Sequence, residues 1–357
     1  MKTLFETLDV RFIERKNFTE CWINPTENCA QTISVVQNVL DYLNAHVFHV
    51  ISMRLFGNRA AITKASAILD KKEIGCRPIL ILQDDSIQNF SIQVHALSGR
   101  KLNNLYFKDE YVGCQFDDDY ANYYMLRLLP DDKSTSQFEQ AQNIFEKSHN
   151  ILKGLGSGFS DTIRTWLFAD DILSWYGDLN KARNQFFEHH DIYNKLVPAS
   201  TGIGVANPYN NALAVQLLAV RPKNNNAAAH SINSPLQCPA LNYKSSFSRA
   251  IKLDVPDHKR LFISGTASID KSGATIFLND TKAQLDFTMQ VVKAILNEAG
   301  MEWSNAVSSM AYFKYKEDFG LFDDYCRRQN IKLPHIKVQA DVCRDDLLFE
   351  LELDAVR

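Results

Sequence analysis

Hydrophobic and polar positions along the chain alternate between short period-two runs and stretches of helical spacing. In the first 130 residues, HVFHVISMRLF (47–57), RPILILQ (77–83) and FSIQVHAL (90–97) read as strands. Residues 28–46 predict a helix with Ile33, Val36, Val39, Leu40 and Leu43 on one face. A second helix is predicted over 134–156, opened by Ser134 or Ser136 and stopped by Gly154. The middle is less regular. Residues 161–196, rich in aromatic and charged side chains, read as partly helical, and 197–212 as a loop of small residues. A strand is expected at 214–220, followed by a long ordered connection over 221–246.

From residue 247 the pattern sharpens. Strands are predicted at 247–255, 260–269, 305–315, 335–342 and 347–356, and helices at 280–300 and 316–330. The first of these helices is capped by Asp280 or Thr281 and closed by Gly300, with Leu285, Val292, Ile295, Leu296 and Ala299 on one face. The order ββαβαββ fits helices packed on one face of a mixed sheet. In the last strand Leu347, Phe349, Leu351 and Leu353 share one face, while Leu348, Glu350, Glu352 and Asp354 share the other. On alternation alone, the acidic face is a solvated one.

Composition narrows the functional classes. A length of 357 residues suggests two domains. The net charge of -3 offers no basic surplus for phosphates, which argues against nucleic acid as a partner. Seven cysteines, none in CxxC spacing, argue against a disulfide framework or a structural zinc site and fit a reducing cytoplasm. The charged N-terminal run lacks the apolar core of a signal peptide. No window reaches the roughly 20 apolar residues of a membrane span, so no membrane partner is expected.

Several motifs carry a resemblance. RTW (164–166), PASTGIG (198–204), SSFSRA (245–250), LFISGTASI (261–269) and ADVCRDDLLFELE (340–352) fall in the order and spacing of the chorismatase family. The last 110 or so residues resemble the RidA/YjgF family. The resemblance implies an α+β fold of two RidA/YjgF-like (chorismate-mutase-like) domains, mixed β-sheets with helices packed on one face. It implies a degenerate N-terminal domain over 1–160, a connecting segment over 161–246 that contributes pocket loops, and a C-terminal domain over 247–357. It also implies assembly as a homo-trimer, in which the acidic sheet face meets another subunit. The implied reaction is cleavage of the enolpyruvyl ether of chorismate or a related cyclic carboxylate, without metal or organic cofactor.

In that reading Glu350 protonates the enolpyruvyl methylene, for which burial would have to raise its pKa. Cys343 matches the cysteine of the 3-hydroxybenzoate-forming branch. Arg249 and Arg164 are candidates to hold a carboxylate, and Thr201 and Gly202 to donate to an anion. Gly265 would admit substrate close to its strand. His190 falls where the family carries an arginine and is a substrate-binding candidate in its place; Gln339 replaces another arginine. His189 and His190 do not predict a metal site, because adjacent residues diverge on a helix. The alternatives are a relative acting on another small substrate in secondary metabolism, and a non-catalytic ligand-binding or assembly protein that keeps the fold.

Overall fold

The computed structural model describes residues 7–26, 32–72, 74–83 and 90–357. Its elements fall into three repeats of one ββαβαββ order. The first comprises β1 (Leu8–Glu14), β2 (Thr19–Pro25), α1 (Thr32–Ala45), β3 (His49–Gly57), α2 (Arg59–Leu69), β4 (Ile79–Leu82) and β5 (Ser91–Ser98). The second adds an edge strand, β6 (Asn103–Phe107), before β7 (Glu110–Asp117), β8 (Ala121–Leu128), α3 (Gln137–Gly154), β9 (Thr162–Ala169), α4 (Ile172–His189), β10 (Ala199–Gly204) and β11 (Leu213–Pro222). The third adds β12 (Ala228–Ile232) before β13 (Ala250–Val255), β14 (His258–Ala267), α5 (Thr281–Glu298), β15 (Ala306–Phe313), α6 (Phe319–Gln329), β16 (His335–Gln339) and β17 (Phe349–Val356).

The sheets repeat the same pairing: β1-β2-β5-β3-β4, then β7-β8-β11-β9-β10 with β6 outside β7, then β13-β14-β17-β15-β16 with β12 outside β13. The predicted helices and strands of the third repeat are found within a few residues of their expected ends. Asp280 caps α5 by accepting from the Ala283 N–H, and Ser136 with Glu139 forms a capping box on α3. Residues 28–31 of the first predicted helix lie outside the described residues. On α1 the apolar stripe runs through Val35, Val36, Val39, Leu40 and Leu43, whereas Ile33 is exposed.

Residues 161–246 depart most from expectation. They supply β9, β10 and β11 to the second sheet, the helix α4 between β9 and β10, and β12 to the third sheet. The small-residue run expected as a loop is the edge strand β10, parallel to β9 with Thr201 beside Trp166. Its composition follows from crowding. Gly204 donates to the Asp341 carbonyl at 2.7 Å, and a Cβ on it would lie 2.7 Å from Ile172 Cγ2 and 2.8 Å from Asp341 Cβ.

Each sheet carries its helices on one face. In the third repeat Leu285, Met289, Val292 and Leu296 of α5 and Phe322 of α6 cover Phe349, Leu351 and Leu353 of β17. The opposite faces of the three sheets meet one another. Arg54 on β3 donates to Gln216 on β11 at 2.7 Å, Arg164 on β9 to Glu352 on β17 at 2.8 Å, and Gln93 on β5 to the Ser309 carbonyl on β15 at 3.2 Å. The face expected to meet solvent or a second subunit is therefore covered within one chain. Among the described residues no helix is long and apolar enough to cross a membrane.

Candidate functional site

The strand that carries the acids sets the site. On β17, Glu350 pairs with Ala267 of β14 and Tyr312 of β15. Register between β14 and β17 slips between Ile263 and Thr266, a bulge that brings Gly265 against the Glu350 side chain. A Cβ on Gly265 would fall 2.1 Å from Glu350 Oε1 and 2.7 Å from its Cδ. Glycine at this position is what lets the acid lie flat on the sheet.

Glu350 lines a narrow cavity of about 40 Å3 between the second and third sheets. Sequence reasoning brings five of its candidates here: Glu350, Cys343, Arg249, Gly202 and Gly265 all border the cavity. Thr201 lies beneath it, its hydroxyl accepting from Arg164 at 2.7 Å and from the Gly265 N–H at 2.9 Å. Arg164, expected to hold a substrate carboxylate, is instead turned to Glu352. His190, at the end of α4, does not line the cavity; it meets Glu146 at 3.1 Å and stacks 4.1 Å from His149. Gln339 lines a separate opening with Lys314 and Asp341, so the arginine missing there is not one the cavity has lost.

The cavity nevertheless has cations that the sequence reading overlooked. Arg183 on α4 and Arg344, next to Cys343, both border it. Arg183 donates to Asn180 at 2.5 Å, Asn180 donates to the Tyr176 carbonyl at 3.0 Å, and Arg183 Nε has no hydrogen-bond partner although buried. Tyr176, Asn180 and Arg183 are spaced i, i+4, i+7 on one face of α4. That spacing was the available signal, in the run LNKAR that precedes His190 by two to three turns. Arg344 donates to the Gly273 carbonyl at 2.8 Å. Arg249, 3% exposed, places Nε and Nη2 on the Cys238 carbonyl at 3.0 and 2.8 Å. Tyr243 fills the gap between Arg249 and Arg344, its ring 5.5 and 5.0 Å from their guanidinium carbons.

The electrostatics follow from burial. Glu350 is 4% exposed, and its buried Oε1 has no hydrogen-bond partner among the described residues. Burial first, then the neighbouring Glu352 charge, pushes its carboxyl up to about 8, against the opposing pull of Arg164 and Arg249. At neutral pH it is a neutral acid with a proton to give. Burial also pushes the Cys343 thiol up to about 12 and the Tyr176 hydroxyl above its usual value. The cavity therefore holds a neutral acid and a neutral thiol, ringed by three arginines. Among the described residues no group of three His, Cys, Asp or Glu side chains is placed to hold a metal ion.

No protein-family profile matches the chain. It is similar to the 3-hydroxybenzoate synthase of Streptomyces hygroscopicus, 26% identical over 226 residues, covering 55% of this chain and 63% of that protein. It is also similar to a chorismatase of the same organism, 25% identical over 234 residues, covering 59% and 64%. The chain thus matches under two thirds of the length of either relative. A RutC family protein from Pyrococcus abyssi is 28% identical over 113 residues, covering 31% of this chain and 86% of its own. A chorismatase crystal structure superposes over 86% of this chain and 93% of its own with a TM-score of 0.62 at 17% identity, which shows the fold. Three sheets with helices outside and a buried acid between two of them make this a chorismatase-type α+β fold. The chain shares that fold and is similar, at 25–26% identity, to a chorismatase and a 3-hydroxybenzoate synthase.

Proposed function

We propose that the protein cleaves the enolpyruvyl ether of chorismate, or of a closely related cyclic carboxylate, with Glu350 as the proton donor. The observation that carries this reading is a buried, unpartnered carboxyl, pushed up to about 8, in a cavity whose other charged groups are arginines. Arg183, Arg249 and Arg344 supply the cationic partners that a dicarboxylate needs.

The chemistry balances with these groups. Glu350 transfers its proton to the enolpyruvyl methylene carbon, leaving an oxocarbenium-like centre and a carboxylate. Water adding to that centre gives a hemiketal, which breaks into pyruvate and a dihydroxycyclohexadiene carboxylate, and the released proton restores Glu350. If a ring hydroxyl of the substrate attacks instead, no water is consumed. The hydroxyl proton then restores Glu350. Cleavage of one ring C–O bond and one ketal C–O bond of the cyclic ketal releases pyruvate, and transfer of the ring proton at the carbon that keeps its oxygen to that oxygen gives 3-hydroxybenzoate. Cys343 borders the same cavity as a neutral thiol, so its part in that branch is proton handling at the ring rather than attack as a thiolate. A purely structural role for the cavity is disfavoured by the cost of burying an acid and an arginine Nε without partners.

The test is pyruvate release from chorismate by the purified protein, with the second product followed by chromatography. Release in the wild type, with a drop of roughly 10²–10⁴-fold in Glu350→Gln, is expected for loss of a general acid. No release, or equal rates in the two proteins, overturns the reading. Conversion of a 3-hydroxybenzoate product to the diene in Cys343→Ala would support the branch assignment, and an unchanged product would refute it.

A further inference from the structure

Glu350 and Glu352 sit two residues apart on the same inward face of β17, and each is 4% exposed. Their surroundings are opposite. Glu352 is clamped: Arg164 donates to Oε2 at 2.8 Å, Trp166 Nε1 donates to Oε1 at 3.0 Å, and Arg54 stands 3.8 Å from that oxygen. Trp166 in turn has both guanidinium groups over its ring, Arg54 at 3.9 Å and Arg164 at 4.7 Å. Both Glu352 oxygens thus accept from buried donors.

Arg164 is the cation that could otherwise serve Glu350. The same Nη2 that binds Glu352 also donates to Thr201 Oγ1, and that oxygen accepts the N–H of Gly265, the residue pressed against Glu350. A single hydroxyl therefore stands between the guanidinium and the strand position under the acid. Arg164 still pulls the Glu350 carboxyl down, but its direct partner is Glu352, whose charge pushes the other way.

We propose that Glu352 is a positioning residue for the acid: by pairing Arg164 and leaving a negative charge on the same buried face, it keeps Glu350 in the proton-bearing form. The remaining groups facing Glu350 do not supply this. Arg249 beside β13, Arg183 on α4 and Arg344 are cations and act in the opposite sense. Tyr312 on β15, Tyr176, Tyr243 and Cys343 are neutral at neutral pH, because burial pushes each of them up. Asp354, two residues further along the same face, is pushed up to about 6 by burial, with Arg164 opposing and the Glu352 charge adding to the rise.

This inference rests on Glu350 being the proton donor, but it can be measured without turnover. Protein carrying carboxyl-13C glutamate would be titrated by NMR, with the Glu350 signal assigned from its absence in Glu350→Gln. In Glu352→Gln, removal of the like charge and release of Arg164 should lower the ratio of protonated to ionised Glu350 at pH 7 by at least tenfold. Glu352→Asp, which keeps the charge, should restore much of it. The double variant Glu352→Gln with Arg164→Met removes anion and cation together, and should return Glu350 towards its wild-type titration. A wild-type titration curve in Glu352→Gln overturns the proposal. If Glu352→Gln does not fold, the double variant decides: a Glu350 midpoint near the ordinary carboxyl value there overturns it. Pyruvate release separates the two readings. Titration as described without any release sinks the proposed reaction and leaves this inference standing. Release whose decline with rising pH is unmoved in Glu352→Gln does the reverse.

Discussion

Glu20 and Glu350 are the same residue type, both buried on strands that face the junction of the three sheets, and they are held in opposite charge states. Glu20, on β2, receives Arg15 at 2.8 Å, His95 at 2.8 Å and a short contact from Arg260. Against its complete burial, Arg260, the His95 hydrogen bond and Arg15 hold its carboxyl well below the usual range. The cluster also ties the repeats together. Arg15 reaches Asp118 of the second repeat at 2.6 Å and Asp257 of the third at 2.9 Å, and Tyr123 donates to Asp118 at 2.8 Å. Glu350 is as deeply placed but its Oε1 meets no donor among the described residues, so burial dominates and raises its pKa. Burial alone thus does not decide the state of an acid; the number of donors arranged around it does. The saturated cluster works as a structural tie, and the unsaturated one keeps a proton available.

The comparison can be broken at several points. The largest effect is on stability at Glu20. Glu20→Gln leaves Arg15 and Arg260 buried without their anion and should lower unfolding free energy by roughly 3–5 kcal/mol in urea titrations. A loss under ~1 kcal/mol would mean that the cluster is not the tie it resembles. The pH dependence should run in opposite senses at the two acids. The folded-state pKa of Glu20 is depressed, so its contribution is present above the ordinary carboxyl value and fades as pH falls. That of Glu350 is raised from 4.5 to about 8, so its contribution is fully present below 4.5 and is lost as pH rises through 8. The stability of Glu350→Gln relative to wild type should therefore increase between pH 5 and pH 8, and a flat difference would contradict the raised value.

A smaller effect is expected at Gly265. Gly265→Ala puts a methyl where Glu350 Oε1 lies, forcing a shift of the acid at a cost of roughly 1–3 kcal/mol. If that shift misplaces the proton donor, turnover should fall by about tenfold or more while the circular dichroism spectrum is unchanged. The smallest belongs to His190, whose partner Glu146 is half exposed. His190→Ala should change stability by about 0–1 kcal/mol and leave turnover alone. A large loss of turnover there would return the substrate-binding role to that residue.

Much of the third repeat was legible from sequence. Its helices carry caps and a clear apolar stripe, and its last strand alternates cleanly, so local preference and burial agree. The second repeat was harder to read. β10 is built of small residues because Ile172 and Asp341 press against it, and such crowding by distant chain leaves no hydrophobic period to recognise. The cationic side of the cavity was misplaced for a related reason. Arg183 is one helical residue among several charged ones on α4, and only its buried, half-satisfied guanidinium distinguishes it. Arg164 erred in the other direction: its place in RTW drew attention, but its partner is Glu352, 188 residues away.

By itself, then, the sequence determined the alternation of β17, the helix that covers it and the presence of two acids on its far face. These follow from periodicities that operate within a few residues. Which acid meets donors and which is left without them was decided only by the tertiary structure. That outcome depends on donors brought by β9 to Glu352 and withheld from Glu350, and on a glycine bulge in β14 that lets the second acid lie against the sheet. Charge state in a buried face is set by the whole surrounding shell, and that shell is assembled from all three repeats.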